Sequence, residues 1–242
     1  MSQDKKVDPL VEKAKKLVPL VDEILDEAVV SLGILRLSQG EILKNFGDLI
    51  SQLENSAHDI YNRYEALAFK ELISLVKAGK QTLSDSEIES LVFKAKRLEF
   101  QAGQMRKSRG GSSLHKIVQK LLNLAGVSCE TPHKETKEVL RRIDLVAPDA
   151  DTAKDTPDKA IFLAVKRTLR ERWKQVVPEH MKGARLYLVT INGHCSEQKA
   201  EEIKETGMVA YVPEHLKNQE HLKDKHWIRP LSALPEDVGR YT

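Results

Sequence analysis

Cysteine is scarce in this chain, and long apolar runs are missing from it. The two cysteines, Cys129 and Cys195, lie far apart and without the spacing of metal ligands. Neither a disulfide-stapled scaffold nor a zinc site is therefore expected. No apolar segment approaches the roughly 20 residues that a membrane-spanning helix needs. The N-terminal segment MSQDKKVDPLVEKAKK also lacks the apolar stretch of a secretory signal. These absences predict a cytoplasmic protein without a membrane partner.

A large overall charge is also absent, but two segments are strongly basic. The 242 residues carry a net charge of +3, whereas segments 94–120 and 166–185 together carry +12. Basic stretches in an otherwise acidic chain are typical of a surface that binds a polyanion such as nucleic acid. Two solvated helix faces would give the same pattern, so charge alone leaves both interpretations open.

The first 100 residues carry a helical pattern throughout. Apolar residues recur every three or four positions, as at Leu17, Leu20, Val21 and Ile24. The pattern predicts further helices over 39–54, 57–78 and 84–101, the last with a capping pair of Ser84 and Glu87. The segment KSRGGSS at 107–113 is predicted to interrupt the helices, and a new one to run from Ser112 to a stop at Gly126.

The second half of the chain has an α/β pattern. Near-continuous apolar runs at 160–166 and 185–193 are typical of buried strands, and shorter strands are predicted at 141–149 and 208–213. Helical segments of about ten residues separate them, which favours an α/β sheet between helices. We therefore predict a helical N-terminal region over 1–100 and an α/β core over 101–242. Periodicity leaves open whether the first region is separate or wraps the core.

Three charged residues of the α/β half could act on a phosphodiester. Asp144 is predicted in the middle of a short strand, Lys166 at the end of the next one and Glu179 shortly beyond. Two carboxylates can hold Mg²⁺, which prefers oxygen ligands. A neighbouring lysine can polarise the attacking water and offset phosphate charge. Solvated residues at strand ends are the ordinary alternative.

The segment after Lys166 is suited to reading base pairs. Arg170, Glu171 and Arg172, called the triplet below, are predicted to occupy the first turn of the following helix. Arginine can bond guanine O6 and N7 together, and glutamate can accept from cytosine N4. Glu171 could instead complete a capping box with Thr168. The arginines oppose the helix dipole at this position, so a polyanion outside the helix is their natural partner.

Together these residues resemble a known family of nucleases. A Lys followed four residues later by Arg-Glu-Arg, with an Asp twenty-two residues before it and a Glu thirteen after it, is similar to the PD-(D/E)XK restriction endonucleases of the EcoRII, PspGI and SsoII group. In that group the second acidic residue is displaced from the position two before the Lys, here Ala164, to the following helix. The resemblance implies a mixed central sheet flanked by helices, which would form the endonuclease core over 101–242. The helical N-terminal region over 1–100 would then serve in dimerisation, in DNA contact, or in both.

The resemblance also implies a role for each residue. Asp144 and Glu179 would bind Mg²⁺, and Lys166 would position the water and stabilise charge on the phosphate. The triplet would read the inner G·C pairs of a palindrome of the CCGG, CCNGG or CCWGG type. The implied protein is a homodimeric type II restriction endonuclease of a prokaryotic cytoplasm that cleaves double-stranded DNA.

Upstream, the segment GQMRKSRGGSSLH resembles another part of that group. Gln104 matches a position that contacts the outer base pairs, and Arg106 and Arg109 would face the DNA backbone. The sequence departs from the pattern at His115, where the group has an acidic residue near the metals. A neutral imidazole could hydrogen-bond a metal-bound water, but it is a poor Mg²⁺ ligand.

Several relatives in the group extrude the central nucleotides of their site and stack them on an aromatic residue and an arginine. Extrusion requires such a stacking surface. Tyr61, Arg63, Tyr64 and Phe46 are the candidates here, although aromatic residues at helical spacing more often belong to a core.

Two other functions fit the same residues. A structure-selective PD-(D/E)XK repair nuclease would keep the catalytic residues and bind all sequences evenly. A non-catalytic DNA-binding relative would be consistent with His115 at the acidic position.

Overall fold

The chain forms two compact units. The structure, a computed structural model, describes residues 8–135, 143–169, 185–191 and 193–240, with the backbone alone for 107–112. One unit consists of residues 1–31 and 55–112, and the other of residues 32–54 and 113–242. The boundary predicted at residue 100 falls within a helix. A role of residues 1–100 in dimerisation or DNA contact stays a prediction.

Helices make up the N-terminal half, as the apolar periodicity indicated. Their bounds are α1 Pro9–Lys15, α2 Val21–Ser31, α3 Gln39–Lys44, α4 Phe46–Lys77 and α5 Asp85–Leu124. In the first unit the helices α1, α4 and α5 bury a small apolar core of Val11, Ala14, Ala68, Leu72 and Leu98. None of the helices in the described part of the chain combines the length and the apolar character that a membrane crossing requires.

The break predicted at 107–113 is wrong, because α5 runs through it. Glycines 110 and 111 each disfavour a helix by about 1 kcal/mol relative to alanine. The helix continues into Leu114, Ile117, Val118 and Leu121, which are essentially fully buried. Burial of this apolar face outweighs the local preference for a turn.

The end of α5 follows the sequence prediction. Gly126 has φ +82°, and its amide donates to the carbonyl of Asn123 while the amide of Val127 donates to that of Leu122. This pair of bonds is the Schellman arrangement, which favours glycine because φ is positive. The chain is thereby turned out of α5 toward the sheet.

The second unit contains a mixed five-stranded sheet in the order β1-β2-β3-β4-β5. The strands are β1 Leu145–Ala147, β2 Ile161–Lys166, β3 Arg185–Thr190, β4 Val209–Val212 and β5 Ile228–Pro230. β1 is antiparallel to β2, and the other neighbours are parallel. The helices of this part are α6 Ala150–Asp155, α7 Glu197–Glu205, α8 Glu214–Lys217 and α9 Leu234–Gly239.

The apolar runs identified in the sequence are the central strands. Every residue of β2 except Lys166 is buried, as a parallel strand covered on both faces requires. Phe162, Ala164, Leu188 and Ala210 belong to one apolar cluster of this unit. The predicted α/β class is confirmed, whereas β5 lies beyond the last strand predicted from the sequence, 208–213.

Candidate active site

Two of the predicted catalytic residues meet at the end of β2. The ammonium Nζ of Lys166 lies 2.6 Å from Oδ2 of Asp144, and the same oxygen accepts the Val165 amide at 2.8 Å. Both side chains are mostly buried, with 28% and 22% of their surfaces exposed. The pair therefore forms a charged site with limited access to solvent.

Sheet topology explains why these two residues meet. Because β1 and β2 are antiparallel, the start of β1 lies beside the end of β2, and Leu145 pairs with Leu163. The Asp144 amide continues the ladder by donating to the carbonyl of Leu163 at 2.9 Å. Asp144 was predicted in the middle of its strand, but β1 begins one residue later. That position at the strand entrance leaves its carboxylate free to turn toward Lys166.

The residue two before Lys166 is not acidic. Ala164 is fully buried within the apolar core, where an ionised carboxylate would be costly. The displaced candidate, Glu179, lies outside the described residues. In the part of the chain that the structure describes, no three metal-ligating side chains come together.

The triplet also lies outside the described residues. The chain leading to it is described as far as Leu169, which is buried in the same apolar cluster as the sheet. Three described residues thus follow Lys166, and the last of them, Leu169, places its side chain in the apolar core.

A polar cluster beside Lys166 was missed by the sequence analysis. Arg167 forms an ion pair with Glu54 of α4, and its NH2 group donates to Oγ of Ser113 of α5 at 2.7 Å. Burial lowers the pKa of the Arg167 guanidinium. Its position directly after Lys166 was visible in the sequence, but its partners are distant along the chain.

The candidates of the upstream segment lie on α5. Gln104 is exposed, and Arg106 forms ion pairs with Glu65 and Glu99. The hydrogen bond that Arg106 donates to Glu99 contributes most to the raised pKa of Arg106. The side chain of Arg109 lies outside what the structure describes, and His115 is half-buried.

The aromatic candidates for base stacking divide into two kinds. Phe46 is fully buried and Tyr61 is 6% exposed, so neither ring presents a face to solvent on which a base could stack. Tyr64 is half-buried and donates to Glu27 at 3.1 Å, while Arg63 pairs with the same carboxylate. The Arg63 guanidinium carbon lies 5.3 Å from the centre of the Tyr64 ring.

Comparisons with known proteins identify a family and several relatives of this chain. The family model described as EcoRII C terminal matches residues 65–233. The type II restriction enzyme SsoII of Shigella sonnei is 28% identical over 123 residues. The matched region is 48% of this chain and 40% of that enzyme, so it spans less than half the length of the relative.

Solved structures share the fold of the chain. Metal-depleted Ecl18kI in complex with uncleaved, modified DNA superposes with a TM-score of 0.73 at 18% identity, covering 96% of this chain and 83% of that one. The restriction endonuclease PspGI in a substrate DNA complex gives a TM-score of 0.70 at 22% identity, covering 97% of each chain. These matches show a restriction-endonuclease-like fold that includes the helical N-terminal region.

Proposed function

The chain belongs to the EcoRII C-terminal family, and we propose that it is a type II restriction endonuclease that hydrolyses phosphodiester bonds of double-stranded DNA. The contact between Lys166 and Asp144 carries this proposal. It joins an ammonium group and a carboxylate at the meeting point of two strand ends, where a phosphate could be bound and attacked. Relatives with this fold have been crystallised with DNA, one of them after removal of metal.

Asp144 and Glu179 would hold Mg²⁺ in the proposed site. Asp144 fits this ion, because its carboxylate is a hard oxygen donor held in place by the Val165 amide. When bound, the ion would lower the pKa of a water and offset charge on the phosphate. Lys166 would orient the attacking water and stabilise the negative charge that develops on the phosphate. The amide of Val165 and the ammonium of Lys166 together keep the Asp144 carboxylate oriented.

The triplet would supply sequence specificity. Arg170 and Arg172 would each bond a guanine bidentately, and Glu171 would accept from a cytosine amino group. Gln104 would contact the outer base pairs, and Arg106 and Arg109 the phosphates. The recognised site would be a short G·C-rich palindrome of the CCGG, CCNGG or CCWGG type.

A palindromic site has two-fold symmetry, which a protein dimer with two-fold symmetry would match. A homodimer would present two copies of the triplet and two hydrolytic sites to the two strands. The protein would act in a prokaryotic cytoplasm, on double-stranded DNA.

Digestion of a sequenced plasmid tests the proposal. We expect discrete fragments in the presence of Mg²⁺, no fragments in EDTA, and mapped ends that share one short palindrome. Fragments without a common sequence would instead indicate a structure-selective repair nuclease. Retardation of the plasmid without cleavage at any Mg²⁺ concentration would contradict the proposal.

A non-catalytic DNA-binding protein is the second candidate, and His115 is the observation that favours it. Imidazole binds Mg²⁺ weakly, so a site with histidine at the acidic position of the family could lack an ion. A His115→Glu variant that cleaves while the native protein only binds would support this candidate.

A further inference from the structure

We propose that Arg167 is a positioning residue that holds the catalytic Lys166 in place by anchoring the exit of β2 to α4 and α5. This inference rests on the proposed function of the Lys166 site. It concerns a side chain that does not touch the reacting atoms and acts through its neighbour in the chain.

The location of Arg167 gives it control over Lys166. Lys166 is the last residue of β2, and among the described residues β3 continues beside it, with Lys166 opposite Thr190. On the other side β1 pairs with β2 as far as Leu145 and Leu163, and beyond that pair Asp144 bonds the Leu163 carbonyl and the Val165 amide. Contacts made by the next residue, Arg167, add to these restraints on Lys166 from the side where the chain leaves the sheet.

The guanidinium of Arg167 contacts two helices at once. One arm of its guanidinium forms the ion pair with Glu54 and the other donates to Ser113 Oγ, so a single planar group joins the exit of β2 to the parts of α4 and α5 that belong to the second unit. A fork of this kind is specific to arginine, since a lysine ammonium cannot reach two partners with fixed geometry. The side chain of Glu54 is 20% exposed, and that of Arg167 is 36% exposed.

Partial burial makes these contacts worth more than those of a surface pair. Exposed ion pairs contribute little because water and salt screen them. The Arg167 pair lies where burial already lowers the pKa of the guanidinium, and removing Glu54 would leave that charge without its carboxylate. Two residues later, Leu169 enters the apolar core, so the connection after Lys166 is fixed at both positions.

Single-turnover cleavage and DNA binding, measured side by side, test the inference. We expect Arg167→Ala to lower the single-turnover rate by about 10- to 100-fold, because misplacing a catalytic group by 1 Å can cost that much. The Kd for the same duplex in EDTA should change far less, since Arg167 makes no contact with DNA in this account. Lys223→Ala, which removes a cation from an exposed pair with Glu220, is the matched control and should change neither quantity.

Two further variants separate positioning from charge. Arg167→Lys keeps the charge without the fork and should cleave about as slowly as Arg167→Ala. The double variant Arg167→Ala with Glu54→Gln should be no slower than Arg167→Ala alone, because both changes remove one interaction. Full activity of Arg167→Lys would overturn the inference, as would a loss of rate matched by an equal loss of affinity.

Folding defects do not remove the test. If Arg167→Ala fails to fold, Ser113→Ala deletes one arm of the anchor and leaves the ion pair, and it should still slow cleavage severalfold at unchanged Kd. A rate equal to that of Lys223→Ala would overturn the inference while leaving the proposed function intact. A native protein that never cleaves would overturn both.

Discussion

At the scale of single residues, the site depends on one short contact and on what surrounds it. The Lys166–Asp144 contact of 2.6 Å was foreseeable. The sequence predicts Lys166 at the end of one strand and Asp144 in the strand that precedes it along the chain. The Arg167–Glu54 pair was not, because no local pattern connects residues on a helix and a strand end so far apart in the chain. The start of β1 one residue after Asp144 likewise depends on the pairing of β1 with β2, which apolar periodicity does not indicate.

The triplet leads to a prediction about sequence discrimination. Arg172→Ala should weaken binding to the palindrome by about 1–3 kcal/mol, the worth of one bidentate contact with guanine. Binding to a duplex without the palindrome should change little. Competition binding in EDTA with the two duplexes measures this difference, and Lys223→Ala again serves as the control. Equal weakening on both duplexes would contradict a reading role.

At the scale of elements, the two ends of α5 followed the sequence, whereas the breaks predicted at 55–56 and at 107–113 lie inside α4 and α5. Ser84 and Glu87 were predicted as a capping pair, and the Glu87 carboxylate accepts the Ser84 amide at 2.9 Å at the start of α5. Apolar runs also predicted β2 and β4 well. The uninterrupted course of α5 and the existence of β5 depend instead on tertiary packing, which local preference does not contain.

The cap of α5 should make a pH-dependent contribution. The hydrogen bond from Lys80, together with the Ser84 amide, lowers the pKa of Glu87 to about 2. A lowered pKa means that the stabilising contribution is fully present above the ordinary value near 4.5 and is lost as pH falls toward 2. Glu87→Gln should therefore lower the Tm at pH 7, and the difference from the native protein should shrink between pH 5 and pH 3.

Thermal unfolding across that pH range provides the measurement. Glu89→Gln removes the same charge from the same helix without altering the cap, so it is the control. A Tm difference for Glu87→Gln that does not change with pH would contradict the proposed cap.

The end of α5 should be equally sensitive to a small change. Gly126→Ala should destabilise the protein by about 1–2 kcal/mol, because alanine is strained in the left-handed region. A Cβ at position 126 would also lie 2.9 Å from Nε2 of the Gln39 side chain. Gly40→Ala, inside α3 with open space around it, should instead stabilise by up to about 1 kcal/mol. Urea denaturation measures both, and a gain in stability from Gly126→Ala would contradict the turn described here.

At the scale of the whole molecule, the apolar core and the charged site are built from the same strands. β2 contributes five buried residues to the sheet and presents Lys166 only where the strand ends. The fold class followed from the apolar runs and the intervening helices. The division into two units did not, because residues 32–54 belong with the sheet although they precede it by a long stretch of chain.

Burial of both cysteines gives a test of how the second unit, to which they belong, is packed as a whole. Burial raises the pKa of Cys129 to about 12, with Glu130 adding to the effect, and burial raises that of Cys195 to about 11. Because the thiolate is the reactive form, alkylation by iodoacetamide at pH 8 should be very slow in the native protein and fast in urea. Labelling followed by mass spectrometry measures both rates, and rapid labelling of native Cys129 would contradict its buried position.

The central claim is that Asp144 and Lys166 form a hydrolytic site, and single-turnover cleavage of the palindromic duplex tests it most directly. Lys166→Ala and Asp144→Asn should each lower the rate at least about 100-fold, as loss of a catalytic group does, while the duplex is still bound in EDTA. Lys159→Ala, before the opposite end of β2, should cleave at the native rate. Native cleavage rates in Lys166→Ala or Asp144→Asn would contradict the account.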